Sequence, residues 1–133
     1  MKHLTASALI GLVTLAMSGP ATAQDAKAGK TVFERCIACH TVAKGDRNRA
    51  GPNLWGVFGS TAGQRDIGYK FSAALTNSGL VWNEETMSAY LENPRKVIPK
   101  TRMTFPGMKN PDQRADVIAY LGVSHSSTAQ GLP

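Results

Sequence analysis

One pentapeptide constrains this chain more than any other feature: Cys36-Ile37-Ala38-Cys39-His40. Residues three positions apart on a helical turn project to the same side, so both cysteine sulfurs can reach one edge of a flat ring system. The imidazole of His40 follows directly and can bind a metal at the centre of that ring. This spacing is the attachment signature of a c-type haem. The pentapeptide therefore predicts one covalent haem c, attached through Cys36 and Cys39, with His40 as an iron ligand.

Two other kinds of site use a Cys-x-x-Cys pair, and the rest of the sequence favours neither. A thioredoxin-like redox pair lies near a βαβ pattern, and no strand–helix–strand alternation follows Cys39. A structural zinc site needs four ligands, usually from paired cysteine and histidine motifs. The chain has two cysteines, and His125 lies far away in a polar C-terminal tail.

The N-terminus is typical of a secretory signal peptide. Residues 2–3 are polar, residues 6–17 are mostly apolar, and a Ser-Gly-Pro break follows them. Residues 21–23 then form the small-x-small pattern of a cleavage site, which predicts removal of residues 1–23. An uncleaved anchor is the alternative, but the apolar run is short for a bilayer. We expect an exported, soluble protein in a bacterial periplasm.

Residues 24–133 are enough for one domain, with a polar tail from about residue 123. Without Lys2, this segment has 14 lysine and arginine residues against 9 acidic ones, a formal charge of +5. A chain of this size buries a limited fraction of its surface. Both cysteines belong to the haem motif, so none remains for a disulfide. A haem would supply the missing core, and we expect the haem-free chain to fold poorly.

The segment after residue 23 begins with a predicted helix and continues as a loop. Apolar residues recur at helical spacing over residues 25–38, and Asp25 is suited to cap the first turn. Gly29 lowers helix propensity there, which a close approach by another helix would explain. Residues 41–68 are rich in turn-forming residues and have no regular period, so we predict a loop that wraps the haem.

Three further helices are predicted in the second half of the chain. Residues 72–77 form a short one, and Asn83 is suited to cap another that Pro94 stops. The last begins near Asn110-Pro111, a cap followed by proline in the first turn, and ends near Gly122. No strand pattern interrupts these segments, which predicts an all-α fold of few helices and long loops.

Six motifs, in order along residues 25–122, resemble those of class I c-type cytochromes, close to the mitochondrial cytochrome c subfamily and its bacterial periplasmic relatives. The resemblance implies the class I cytochrome c fold around one haem c. The motifs are CIACHTV at 36–42, GPNL at 51–54, GLVW at 79–82, YLENP at 90–94, KTRM at 100–103 and AYL at 119–121.

The resemblance also implies the iron ligands, His40 on one side and Met103 on the other. From its helical spacing, Met87 is expected to be a core residue. Met103 and Met108 both lie in a proline-punctuated loop, and spacing alone does not choose between them. The match of the Thr-Arg-Met triplet to the family's ligand loop favours Met103. Such ligation raises the reduction potential and leaves no open coordination position, which implies a one-electron carrier and not an enzyme.

Five supporting residues are implied by the same resemblance. The carbonyl of Pro52 would accept a hydrogen bond from the proximal imidazole and fix its tautomer. Tyr90 and Thr101 would form hydrogen bonds on the methionine side. Trp82 would donate its indole N–H to a haem propionate, with Tyr69 close by. Plain core packing is the alternative for these two aromatic residues.

Three positions depart from the mitochondrial pattern. Ser60 aligns with an arginine near the propionates, Phe71 with a tyrosine, and Leu75 with an asparagine of an inner water network. Loss of the arginine's charge should lower the reduction potential, whereas a drier pocket should raise it. Because the two effects oppose each other, the resemblance does not fix the potential.

Basic residues flank the haem motif and the Met103 loop. In the family, such residues meet acidic surfaces on redox proteins; a respiratory bc-type complex, a terminal oxidase, a photosynthetic reaction centre and a periplasmic dehydrogenase are candidates. The alternative for these charges is a solvated surface that binds no partner. The alternative for the function is a haem enzyme or a ligand sensor. We expect a monomer that does not bind nucleic acid. The basic residues are Lys30, Arg35, Lys44, Arg95, Lys96, Lys100, Arg102 and Lys109.

Overall fold

The first and last helices of the domain pack across each other. The computed structural model describes residues 24–123, in which α1 (Ala26–Phe33) lies against α5 (Pro111–Val123). At the crossing, a Cβ atom on Gly29 would lie 1.9 Å from the carbonyl oxygen of Asp116. Only glycine permits this approach, and the predicted close contact at Gly29 is confirmed.

Side-chain caps explain where both helices begin. The carboxylate of Asp25 accepts hydrogen bonds from two backbone N–H groups of the first turn of α1, at 2.8 and 3.2 Å. Asn110 caps α5 in the same way, at 2.9 and 3.2 Å. Pro111 follows it at the first helical position, where a missing N–H costs nothing. The predicted starts of both helices are confirmed.

The prediction of one helix over residues 25–38 is wrong at its C-terminal end. α-Helical geometry ends at Phe33, and the chain continues in tight turns to residue 39. Backbone hydrogen bonds there reach three residues back, as in a 3₁₀ turn; Cys36, for example, donates to Phe33 at 2.7 Å. Apolar residues keep their spacing through this change, so the sequence resembles one unbroken helix.

Two helices follow the long loop. α2 (Ala73–Thr76) is a single turn capped by Ser72, and α3 (Glu84–Glu92) begins after Asn83. The side chain of Asn83 accepts from the backbone N–H of Thr86 at 2.8 Å, and the Thr86 hydroxyl accepts from the backbone N–H of Asn83 at 2.9 Å. This reciprocal capping box satisfies two N–H groups that the helix leaves unpaired.

Pro94 begins a helix, which corrects the prediction that it only stops one. Asn93 has an extended ψ of 88° because the residue before a proline avoids the α region, so α3 ends at Glu92. α4 (Pro94–Val97) then starts with the proline at its first position. The side chain of Asn93 caps it by accepting from the N–H of Lys96 at 3.2 Å.

Long loops join these helices, and within residues 24–123 the single strand-like feature is an isolated bridge between Thr61 and Val81. The predicted all-α architecture is confirmed. The proposed signal peptide and the residues after 123 lie outside the described residues. No helix in the described part is long and apolar enough to cross a membrane. The core includes Phe33, Trp82, Met87, Tyr90, Leu91, Val117 and Leu121.

Replacing Gly29 with alanine should lower the free energy of unfolding by about 1–3 kcal/mol, because the new methyl group would overlap a backbone carbonyl of α5. Guanidinium denaturation followed by circular dichroism measures this change. Gly122→Ala is the matched control, since no atom lies within 4 Å of a Cβ there. Its higher helix propensity should raise stability by at most about 1 kcal/mol. Equal losses in both variants would contradict the close helix crossing.

Candidate functional site

The tight turns after α1 hold Cys36, Cys39 and His40 together. The backbone N–H groups of Cys39 and His40 both donate to the carbonyl of Cys36, at 3.0 and 2.8 Å. Cys36 is half-buried and Cys39 is exposed. Burial raises the pKa of the Cys36 thiol, against the opposing effect of the nearby Arg35 charge. The three residues of the predicted attachment motif therefore share one turn.

The imidazole of His40 is fixed by the loop that follows it. Its Nδ1 lies 2.8 Å from the carbonyl oxygen of Pro52. Since a carbonyl can only accept, Nδ1 bears the proton and the lone pair of Nε2 is available to a metal. Burial lowers the pKa of His40, which the hydrogen bond to Pro52 partly opposes, so the ring is neutral at pH 7. Gly51 lies against this ring: a Cβ there would be 2.4 Å from Cε1.

His40 borders a deep and almost wholly apolar cleft, which we name the inner cleft. Its walls come from α1, α2, α3, α5 and the loops between them, and its volume is about 800 Å³ with the mouth included. Many of its lining residues belong to the buried core. The predicted site residues that line it are Cys36, His40, Pro52, Trp82, Tyr90 and Met103.

A second and more polar cleft, which we name the outer cleft, meets the inner one. Cys36, His40 and Met103 line both clefts, whereas Cys39 and Tyr69 line the outer cleft alone. The hydroxyl of Tyr69 donates to a backbone carbonyl in the facing loop at 2.8 Å. Together the two clefts bring eight of the nine predicted site residues to one place, and the ninth, Thr101, is attached to them by hydrogen bonds.

The border of the outer cleft is positively charged. Arg35 and Arg102 line this cleft, and no acidic residue does. Arg102 also donates to the backbone carbonyl of Lys70, which ties the Met103 loop to the opposite loop. All eight basic residues singled out in the sequence are exposed.

The three methionines of the described chain have different surroundings. Met108 is 2 % exposed, belongs to the core and lines neither cleft. Met87 is buried on α3, as expected of a core residue, and lines the inner cleft. Met103 is half-buried and lies where the two clefts meet. Burial thus favours Met103 over Met108 as the candidate iron ligand, a choice that sequence spacing alone could not make.

Tyr90 and Thr101 form a short hydrogen-bonded chain that ends at Met103. The hydroxyls of Tyr90 and Thr101 lie 2.8 Å apart, and the backbone N–H of Met103 donates to the Thr101 hydroxyl at 3.3 Å. Burial raises the pKa of Tyr90, with a smaller opposing effect from Thr101, so the phenol stays protonated at pH 7. The contact links helix α3 to the loop that presents the Met103 sulfur.

Trp82 brings a buried N–H donor to the inner cleft. Its side chain is 7 % exposed, and its ring meets that of Tyr90 edge-on with centroids 5.1 Å apart. Within residues 24–123, no protein group accepts a hydrogen bond from its indole nitrogen. Since buried donors in native proteins normally have an acceptor, this one fits a bound group with an anionic or carbonyl oxygen.

Several residues of the inner cleft were not singled out in the sequence. Phe33, Leu91, Val117 and Leu121 form much of its apolar wall. Helical spacing marks most of them as core, and nothing in a sequence separates a core contact from a cofactor contact.

A charged residue of the inner cleft was also missed, namely Arg65. In the sequence it is one more cation in a glycine-rich loop, and no local signal distinguishes it. Phe71 and Leu75, two of the departures from the mitochondrial pattern, line the same cleft. Ser60, the third, does not; its hydroxyl donates to the carbonyl of Val57 at 2.6 Å.

These features fit a haem c. Two cysteine sulfurs and a neutral imidazole share one turn, an apolar cleft for a flat apolar ring begins there, and a buried donor suits a carboxylate. In residues 24–123, no group of three or more histidine, cysteine or acidic side chains could hold a metal ion, as a zinc site would require. Fold and site together define the class of protein, a single-haem c-type cytochrome.

Comparisons with known proteins agree with this class. The family model for cytochrome c matches residues 26–123. A cytochrome c of Guizotia abyssinica is 50% identical over 105 residues, 78% of this chain and 94% of its own. A cytochrome c2 of Rhodomicrobium vannielii is 43% identical over 118 residues, 89% of this chain and 94% of its own. The structure of cytochrome cH from Methylobacterium extorquens matches with a TM-score of 0.70 and 44% identity, over 74% of this chain and 97% of that one.

The chain belongs to the cytochrome c family. It is an electron-transfer protein and not an enzyme, and it carries one haem c, bound covalently through its two cysteines. The sequence predictions of family, fold and cofactor are confirmed, and the alternative of a haem enzyme is wrong.

The contact between Tyr90 and Thr101 should couple the two residues energetically. Tyr90→Phe and Thr101→Val each remove one partner, whereas the double variant removes both. We expect a coupling of about 1 kcal/mol in the free energy of unfolding, measured by guanidinium denaturation of the four proteins. Single-variant effects that add within about 0.3 kcal/mol would show that this hydrogen bond does not stabilise the Met103 loop.

Proposed function

We propose that this protein is a soluble periplasmic one-electron carrier that shuttles electrons between redox partner proteins, and that His40 and Met103 would bind its haem iron. The observation that carries the assignment is the convergence of Cys36, His40 and Met103, which line both clefts. A haem attached at Cys36 would have the imidazole of His40 in the same turn of chain, and Met103 is the methionine that borders both clefts.

The haem supplies a reversible one-electron change at its iron, and the chain supplies the surroundings that set its potential. Pro52 holds the His40 ring in the tautomer and orientation of a nitrogen ligand. A thioether is a weak, soft donor that favours ferrous iron, so a Met103 ligand raises the reduction potential. The apolar walls of the inner cleft act in the same direction because they stabilise the more highly charged ferric state poorly.

The remaining site residues restrain these ligands and the edge of the haem. Tyr90 and Thr101 hold the Met103 loop on α3, which would restrain the position of the Met103 sulfur. Trp82 would donate its indole N–H to a propionate, and Tyr69, which lines the outer cleft, donates its hydroxyl to the carbonyl of Ala50. Two fixed protein ligands leave no coordination position for a substrate, which suits a carrier.

Optical spectra of two methionine variants test the ligand assignment. Met103→Ala should lose the iron–sulfur charge-transfer band of the oxidised protein and, when reduced, should bind carbon monoxide readily. Met108→Ala is the matched control from the same loop; it removes a core side chain but should retain the band. Loss of the band in Met108→Ala and its retention in Met103→Ala would reverse the assignment.

Partner recognition is proposed to use the exposed cations around the outer cleft. Arg35 and Arg102 line that cleft, and none of its lining residues is acidic. The other six basic residues singled out in the sequence lie on the segments that flank the haem motif and the Met103 loop. An acidic face on a bc-type complex, an oxidase, a reaction centre or a periplasmic dehydrogenase is the complementary surface. Attraction between exposed charges steers association and is screened by salt over roughly 10 Å at 0.1 M.

Electron transfer from a purified bc-type complex should slow as ionic strength rises. Arg35→Glu should lower the second-order rate at low salt and flatten its salt dependence, because a charge at the outer cleft is reversed. Lys27→Glu is the control, an exposed lysine of α1 that lines neither cleft. Salt-independent rates, or equal effects of both variants, would contradict a docking surface at the outer cleft.

Export is proposed from residues 1–23, which have the pattern of a cleaved signal peptide. The purified haem protein should come from the periplasmic fraction and begin at Gln24, as determined by intact mass and N-terminal sequencing. Leu9→Arg places a charge in the apolar run and should block export. A protein that retains residues 1–23, or an exported Leu9→Arg variant, would contradict this assignment.

A further inference from the structure

Residues 98–101 form a tight turn directly after α4. The backbone N–H of Thr101 donates to the carbonyl of Ile98 at 3.1 Å, which closes a turn with Pro99 and Lys100 at its centre. Pro99 suits the second position because its ring fixes φ at about −65°. Lys100 has a φ of 67° at the third position, as in a type II turn. A lysine therefore lies where this turn favours glycine or asparagine.

Lys100 is the single residue other than glycine with a positive φ in residues 24–123. In the left-handed region the Cβ of such a residue lies too close to the following carbonyl, and the cost corresponds to a factor of about 5 to 30 in an equilibrium constant. The side chain of Lys100 is exposed and forms no hydrogen bond or ion pair within the described chain. Nothing local offsets the strain.

Anchors on both sides of Lys100 hold the turn in this form. Ile98 is 2 % exposed in the core, and the hydroxyl of Thr101 lies 2.8 Å from that of Tyr90 on α3. Strained residues persist only where the surrounding structure fixes them, and they cluster at ligand clamps and switch regions. The strain at Lys100 is therefore opposed by the contact that fixes Thr101.

Beyond Thr101, few contacts hold the segment that contains Met103. Within the described chain, no backbone–backbone hydrogen bond joins residues 102–107 to any other residue. The backbone N–H of Met103 donates to the Thr101 hydroxyl at 3.3 Å, and the side chain of Arg102 donates to the carbonyl of Lys70. The position of Met103 therefore depends largely on the turn that Thr101 closes.

We propose that Lys100 is a strained hinge that weakens the hold of the chain on Met103, so that the oxidised protein exchanges this ligand for a small external nitrogen base, imidazole. The inference rests on the proposed ligation by Met103 and adds the residue that sets how readily this ligand leaves. In the exchange, the thioether leaves the iron with its electron pair, and imidazole donates the pair of its unprotonated nitrogen. No electron or proton is transferred.

The direction of the effect follows from the geometry of the turn. Rotation of its central peptide converts a type II turn into a type I turn, in which the third residue has a φ of about −90°. Lys100 then leaves the left-handed region, which becomes possible once Thr101 is free to move. The strain thus favours the state in which Met103 has left the iron. Glycine and asparagine tolerate the left-handed region, so either residue at this position would reduce the bias.

Imidazole titration of the oxidised haem protein, followed by the iron–sulfur charge-transfer band, tests the proposal. Lys100→Gly should bind imidazole about 3- to 10-fold more weakly than the native protein, because relief of the strain outweighs the added flexibility of glycine in the open loop. Lys100→Asn should shift the affinity in the same direction without that flexibility. Lys100→Ala is the matched control; it removes the same charge, retains the strain and should have the native affinity.

Two patterns of affinity would overturn the proposal. Native affinity in Lys100→Gly and Lys100→Asn would show that the turn does not govern the exchange. An equal loss of affinity in all three variants would assign the effect to the charge of the lysine. The iron–sulfur band separates these outcomes from failure of the proposed ligation: if the native protein lacks the band, both proposals fail, whereas with the band present either pattern refutes the hinge alone.

Guanidinium unfolding gives a second measurement that needs no imidazole. The midpoint should be higher in Lys100→Gly than in Lys100→Ala, since glycine occupies the left-handed region without steric cost. An equal or higher midpoint in Lys100→Ala would contradict strain at this turn. A higher midpoint in Lys100→Gly together with native imidazole affinity would mean that the strain does not act on Met103, and the proposal would be wrong.

Discussion

We infer that the haem completes the hydrophobic core and that the rest of the domain depends on it. Most of the buried apolar residues in the described chain line the inner cleft, among them Phe33, Tyr90, Val117 and Leu121. These four residues lie on α1, α3 and α5, and all three helices contribute to the wall of the cleft. Apolar area in contact with the ring is removed from water, and each square ångström contributes about 25 cal/mol. A domain of this size with no disulfide has few other sources of stability.

The contacts that fix the fold around the haem also fix its chemistry. Gly51 and Pro52 hold the His40 ring, and the residues just beyond them hold Arg65. Helix α3 restrains the Met103 loop through the contact between Tyr90 and Thr101. In the proposed carrier each ligand is thus anchored to the backbone or to a helix, so a change of oxidation state requires little movement of the protein.

Features that depend on near neighbours in the chain could be predicted from the sequence. Asp25, Asn83 and Asn110 cap helices because a short polar side chain reaches N–H groups two or three residues ahead. The C-x-x-C-H motif likewise needs only one turn of chain. The family resemblance also allowed the hydrogen bonds of Pro52 and of the Tyr90–Thr101 pair to be predicted, although these join residues 12 and 11 positions apart.

Two helix boundaries and one cleft residue could not be predicted in the same way. The end of α1 at Phe33 escaped because 3₁₀ turns preserve the apolar spacing of a helix. Pro94 was mistaken for a simple stop because a helix end and a new helix start share the same Asn-Pro signal. Arg65 gives no local sign at all, since its place in the cleft depends on the carbonyls of Asn53 and Trp55 and on helices far along the chain.

Thermal unfolding of the chain without its haem tests the central claim most directly. Cys36→Ala/Cys39→Ala, purified free of haem, would be compared by circular dichroism with the native haem protein. If the haem completes the core, the native protein should unfold in one cooperative transition and the haem-free chain should show none, with lower helical content at all temperatures. A cooperative transition and native helical content in the haem-free chain would contradict the claim.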